Sequence, residues 1–167
     1  MEYSEFREIV DSRILKIIDS RKLSVNNIVE TSGVSRSQVY KILSGKSDTT
    51  LVTLCKLLSG LNVDIESFFN FSILPEEIPK NKNNDETKDT LNIVRKNLKI
   101  KQANLSRLKG LTQGTIAEKL GYVDYKYINK LLNSKNNLIK DMYLITLFSI
   151  AKQLELEQEI HIIFKSI

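Results

Sequence analysis

Apolar residues recur every three or four positions along almost the whole chain, and the pattern lapses only at Ser72 to Asp89, SILPEEIPKNKNNDETKD, which holds both prolines. Such spacing lines one face of a helix and does not fit the alternation of a half-buried strand. The sequence therefore predicts an all-α chain in two parts, residues 1–71 and 90–167, with 72–89 as a polar linker. Each part, at about 75 residues, is near the lower limit for burying an adequate core. With six glycines among 167 residues and 27% charged side chains, composition suits a small helical protein.

In the first part Phe6, Val10, Ile14, Ile17 and Ile18 form one stripe of a long helix. Ser24 is placed to cap a second helix carrying Ile28 and Val29, Gly33 to end it in a tight turn, and Ser35 to cap a third that runs to Gly45. Leu51, Leu54, Leu57, Leu58 and Leu61 mark a fourth helix, stopped by Gly60 and Asn62. Asp64 caps a fifth, bearing Ile65, Phe68 and Phe69.

Several chemistries lack their parts. Gly45-Lys46-Ser47 ends like a phosphate-binding loop, but that loop needs a glycine where Tyr40 stands and a strand before it, not a helix. The single cysteine, Cys55, lies among leucines at helical spacing and reads as a core residue. Without a second cysteine there is no internal disulfide, as suits a reducing cytoplasm. His161 is the only histidine, so neither a zinc cluster nor a catalytic triad can form around it. The acidic residues are scattered beside Lys and Arg on polar faces, the pattern of a solvated surface. These observations argue against an enzyme and imply no cofactor. Apolar runs are too short for a membrane span, and the acidic start MEYSEFREIV does not read as a signal peptide.

The stretch LSVNNIVETSGVSRSQVYKILSGKSDTTLVTLCKLLSGLNVDIESFF resembles the lambda-repressor-like (XRE) helix-turn-helix domain without gaps. The combination of short helix, Gly turn, Ser cap, third helix, Gly-Lys and Leu-rich helix carries the resemblance. The second part repeats it in GLTQGTIAEKLGYVDYKYINKLLNSKN, which begins at Gly110. Gly121 takes the turn, Ile128 and Leu131 correspond to Val39 and Ile42, and Lys135 corresponds to Lys46. One extra turn residue makes Asp124 the expected N-cap, and four more in the next loop align Leu147, Ile150 and Leu154 with Leu54, Leu57 and Leu61. Two such matches suggest internal duplication. The expected architecture is two lambda-repressor-like bundles of about five helices each, joined by the linker.

The resemblance implies a cytoplasmic regulator, in particular a repressor, that inserts its third helix into the major groove of double-stranded DNA. In the first part Arg36, Ser37, Gln38 and Lys41 would meet the bases: Arg or Lys suits guanine, Gln suits adenine and Ser serves either. Ser24 and Lys46 would position phosphates. Val25 stands where the family commonly has glutamine, which removes a backbone contact. In the second part Tyr125, Lys126, Tyr127 and Lys130 take the base-facing positions, with Thr112, Gln113 and Lys135 for phosphate. Tyr127 has the alternative of lying half buried beside Ile128.

Charge is uneven: residues 86–167 hold fourteen Lys/Arg against eight Asp/Glu, whereas residues 1–75 balance at nine of each. The second part is thus the clearer polyanion binder by charge, yet it could instead bind and regulate a protein partner, as in antitoxin or anti-CRISPR proteins with a helix-turn-helix. A loose linker of about thirteen residues would span roughly 20 Å and reach roughly 45 Å, enough for both heads to share one site. At the C-terminus no Gly, Asn or Pro follows Asn137, so the last two helices are expected to be fused or sharply packed. Ile160, Ile163, Phe164 and Ile167 form an apolar strip open to two uses, local core packing or homodimerisation.

Overall fold

The computed structural model describes residues 1–46, 48–80, 87–122, 125–133, 138–156 and 158–165. Ser47, the expected cap Asp124, the phosphate candidate Lys135 and the terminal Ile167 lie outside them. The described residues are helical, with two isolated antiparallel bridges and no strand.

The first part follows its capping signals. Helix α1, Tyr3–Ser20, opens on a reciprocal Glu2–Glu5 box and buries Phe6, Val10, Ile14 and Ile17. Ser24 Oγ accepts from the Asn27 amide to start α2, Val25–Ser32, and Gly33 ends it at φ 64°. A left-handed backbone there is strained for any residue with a Cβ. Ser35 Oγ accepts from the Gln38 amide to start α3, Arg36–Leu43. Thr50 caps α4, Leu51–Gly60, and Asp64 caps α5, Ile65–Phe69.

Gly60 acts differently from the expected helix breaker. It is the last residue of α4, and a Cβ built on it would collide with the side chain and backbone of Ser32 in α2. Its role is close helix approach, while Asn62, at φ 55°, turns the chain.

The second part runs through α6, Thr87–Lys109, α7, Gln113–Lys119, α8, Lys126–Asn133, and α9, Leu144–Gln153. Thr112 Oγ1 accepts from the Thr115 amide to cap α7, and Gly121 takes the following turn at φ 75°. The last helices are not fused. Helix α9 stops at Gln153, Glu155 adopts φ 59°, and the Leu156 amide donates 2.8 Å back to the Ala151 carbonyl. The same bond follows Asn62, where the Val63 amide reaches the Leu58 carbonyl at 2.9 Å. A 3₁₀ helix, Ile160–Phe164, then completes the described chain.

The described residues of the apolar strip are consumed within the molecule. Ile160, Ile163 and Phe164 are buried, and the Phe164 ring stacks on Phe69 of α5 at 4.4 Å and 3°. Asn97 in α6 secures this end by donating to the carbonyls of Ile163 (3.1 Å) and Lys165 (2.9 Å). Ile160, Ile163 and Phe164 therefore offer no exposed face for dimerisation.

The stretch expected as linker is tied down over its first half. Pro75 and Ile78 are buried, Arg13 donates to the Ile73 carbonyl at 2.8 Å, and Arg21 donates to the Ile78 carbonyl at 3.1 Å. The Asp64 amide donates to the Pro79 carbonyl at 3.2 Å. Since these bonds hold the backbone to α1 and α5, residues 72–80 do not contribute to a flexible span.

Buried residues of both parts form a single hydrophobic core. Phe6 of α1 stacks on Phe148 of α9 at 4.6 Å, and Phe69 lies 6.4 Å from Phe6 and 4.4 Å from Phe164, so a row of four rings joins the two parts. The backbones of the two parts also join directly: the Leu51 amide donates to the Met142 carbonyl (2.8 Å) and the Leu144 amide to the Thr49 carbonyl (2.9 Å).

Candidate nucleic-acid interface

Helices α2 and α3 meet at the Gly33 turn, and Ile28, Val34, Val39 and Ile42 pin them to the core. Once those positions are buried, the 3.6-residue period turns Arg36, Ser37, Gln38 and Lys41 to the surface, where all four are exposed. Arg36 Nη2 donates to Asn26 Oδ1 of α2, which steadies the guanidinium beside the helix. Gln38 Oε1 accepts from Ser35 Oγ at 3.0 Å, leaving the amide NH2 directed away from the cap.

Gln38 and Lys41 also line an open cleft of about 270 Å³ with Thr50, Thr53 and Tyr143. The cleft includes Asp48, whose Oδ1 accepts from Tyr3 Oη (2.6 Å) and the Thr49 amide (2.9 Å). Its Oδ2 accepts from the Ile145 amide at 3.2 Å, so a side chain of the first part holds the opening turn of α9. Arg7 Nη1 also donates to Asp48 Oδ1 at 3.4 Å, so this carboxylate is paired within the molecule. Burial, then the bond to Asp48, pushes the Tyr3 phenol above its ordinary range and keeps it a neutral donor.

Ser24 and Lys46 are both exposed, at the start of α2 and just past α3. Val25, the departure from the family pattern, is half buried against the core, which accounts for an apolar residue there. Of the first part's other cations, Arg7, Arg13 and Arg21 are spent internally. Arg7 pairs with Asp11 at 2.9 Å, and Arg13 lies over the rings of Phe68 and Phe71 while bonding backbone carbonyls. Arg21 bonds the Leu61 carbonyl.

In the second part Ile128 and Leu131 are buried as Val39 and Ile42 are. Lys126 and Lys130 are exposed on α8, as is Tyr125 just before it. Tyr127 is instead half buried, its ring 4.9 Å from Tyr122, and burial raises its phenol above the ordinary value. Thr112 is occupied as a cap. Gln113 Oε1 accepts from Asn129 Nδ2 of α8 at 3.0 Å, a side-chain bridge between the two helices like that of Asn26 and Arg36.

Sequence reasoning missed Asp48, Tyr143, Asn26 and Asn129. A signal for the first two was present: Asp-x-x-Leu occurs at 48–51 and again at 141–144, at the start of both α4 and α9. Cys55 is buried, which pushes its thiol up to about 12 and makes it a packing residue. Among the described residues no cluster of His, Cys, Asp or Glu could hold a metal ion, and no helix is long and apolar enough to cross a membrane.

Residues 14–68 match the family model described as Helix-turn-helix. That span runs from the middle of α1 to α5 and contains the whole α2–α3 unit, so it carries an XRE-like helix-turn-helix. The second part lies outside it. No curated protein and no solved structure matches the chain.

Proposed function

We propose that the protein is a transcriptional regulator that binds duplex DNA sequence-specifically, with α3 in the major groove, and represses by occluding a promoter. The observation that carries this reading is the helix-turn-helix match over residues 14–68, combined with the exposed row Arg36, Ser37, Gln38 and Lys41 on the second helix of that unit. Arg36 and Lys41 supply donors for guanine O6 and N7, and Gln38 can engage adenine at two points. Ser24 and Lys46 fix the register on the backbone. The second part is, in this reading, a divergent copy of the same domain that adds phosphate contacts through Lys126 and Lys130. Its excess of basic residues and the matching burial of Ile128 and Leu131 support that assignment.

The test is selection from a random duplex pool with the full chain, followed by anisotropy on the enriched site. Arg36→Ala should weaken binding there by about 1–3 kcal/mol and relax the preference at one base position. A pool that enriches no sequence would refute the reading, as would an Arg36→Ala, Gln38→Ala chain that binds like the parent. A reporter with the selected site across its promoter should lose expression when the chain is present; a rise would overturn repression.

A further inference from the structure

The junction between the two parts pairs like with like. Thr50 and Tyr143 are the N-cap residues of α4 and α9, and the offset between them also relates the buried pairs Leu54 and Leu147, Leu57 and Ile150, and Leu61 and Leu154, so Thr49, Thr50 and Leu51 stand opposite their own counterparts Met142, Tyr143 and Leu144. Across the antiparallel Thr50–Tyr143 bridge they exchange hydrogen bonds: Leu51 donates to Met142 at 2.8 Å, and Leu144 donates to Thr49 at 2.9 Å. Every antiparallel bridge has this local two-fold exchange; here it joins equivalent positions of two matching helices, so its axis relates the two parts as an isologous contact does. A second contact joins the elements that follow the matching left-handed turns at Asn62 and Glu155, at an offset longer by two residues. Phe69 closes α5, Phe164 closes the corresponding 3₁₀ helix, and their rings stack face to face.

A pseudo-dyad through these contacts has a consequence for the two exposed helices. Rotation about an axis leaves direction along it unchanged, so α3 and α8 face the same way along the dyad. Helix α3 borders it. Gln38 and Lys41 line a cleft with Thr50 and Tyr143, the residues on the axis, and α8 precedes the Tyr143 side of the junction as α3 precedes the Thr50 side.

We infer that a single chain is a built-in pseudo-dimer whose two helices read an imperfect inverted repeat at one fixed spacing. This rests on the DNA-binding reading above. In paired helix-turn-helix units the recognition helices enter successive major grooves, about 34 Å apart. Two heads on a flexible tether would accept direct or inverted repeats at several spacings, but heads joined through a shared core and a backbone bridge accept one. The repeat is imperfect because the heads differ: α3 offers Arg36 and Gln38 to bases, while α8 offers Lys126 and Lys130, better suited to phosphate.

The test uses the full chain on the site selected above, with stoichiometry from native mass spectrometry and protection from footprinting. The expected results are one chain per inverted repeat and at least about a tenfold loss of affinity when five base pairs, half a helical turn, are inserted between the half-sites. Lys126→Ala, Lys130→Ala should remove protection from one half-site only and lower the salt slope by about two. Two chains per repeat, tolerance of the insertion, or a single protected half-site that depends on Arg36 would overturn the inference and leave the DNA-binding reading intact. Failure to select any duplex overturns both.

Discussion

Helices α3 and α8 are seated by the same apolar positions, Val39 and Ile42 in one and Ile128 and Leu131 in the other, yet they expose different side chains. On α3 the outward row is Arg36, Ser37, Gln38 and Lys41; on α8 it is Lys126 and Lys130, with Tyr125 exposed just before the helix and Tyr127 drawn in against Tyr122. The difference teaches that seating and reading are separate problems. Burial fixes a helix in the bundle by volume and period, whereas the outward face is answerable only to the partner. The two helices therefore share their seating, while only α3 presents Arg36 and Gln38 on its outward face.

The strongest way to break the comparison is to ask whether the two parts stand alone. Phe69 and Phe164 are both buried and stacked, so each change to alanine should cost about 3–5 kcal/mol in denaturant unfolding. If the parts share one core, unfolding remains a single transition, and the double variant costs less than the two single losses together. Additive costs with two separate transitions would mean that each part folds by itself and that the junction is incidental.

A smaller effect separates the two helix contacts. Gly60 ends α4 where Ser32 of α2 leaves no room for a Cβ, while Gln153, at the matching position of α9, carries a full side chain. Gly60→Ala should cost about 1–3 kcal/mol through forced backbone displacement. Gln153→Ala should be close to neutral. A gain in stability for Gly60→Ala would show that helix propensity, not interhelix distance, decides at this position.

Smaller again is the pair of turns. Asn62 and Glu155 both hold positive φ, near 55° and 59°, but asparagine tolerates that region and glutamate does not. Glu155→Gly should raise Tm by about 2–4 °C, while Asn62→Gly should leave it nearly unchanged. A lowered Tm for Glu155→Gly would mean that its contact with Lys109, at 2.6 Å, outweighs the backbone strain.

Most of the first part was legible because its signals are local. A serine before a helix, a glycine at a left-handed turn and a leucine stripe each act within a few residues, and Ser24, Ser35, Gly33 and Asp64 all stand where the capping rules put them. What could not be read depended on distant partners. Nothing near Gly60 reveals that Ser32 lies against it, and nothing near Arg13 or Arg21 reveals that they hold the proline-containing stretch by its carbonyls. The C-terminal strip looked surplus because one small bundle could not cover it; α5 of the other part does. The left-handed turn after α9 was hidden because glutamate does not advertise it. For the site, helical period sufficed to expose Arg36 to Lys41, but the side-chain bridges to Asn26 and Asn129 and the junction at Asp48 required the packed structure.

The weakest contacts give the final way to sharpen the comparison, because one ion pair joins the parts and the other lies within the second. Glu2 bonds Lys152 of α9 at 2.7 Å, and Glu155 bonds Lys109 at 2.6 Å. In both, the side-chain bond to lysine holds the carboxyl below its ordinary 4.5. A depressed pKa in the folded chain contributes stability above the unfolded value and loses it as pH falls through the folded one, so both contributions fade below about pH 4.5. Both carboxylates are exposed, and salt screens them. Lys152→Met and Lys109→Met should each lower Tm slightly at pH 7 and low salt, with the gap to the parent closing at pH 3 or in high salt. Their separation shows in hydrogen exchange. The Leu51 and Leu144 amides bond across the junction, so Lys152→Met, which frees the start of α1 from α9, should speed their exchange, whereas Lys109→Met should leave it unaltered. Equal acceleration by both variants would mean that the junction opens only with the whole molecule.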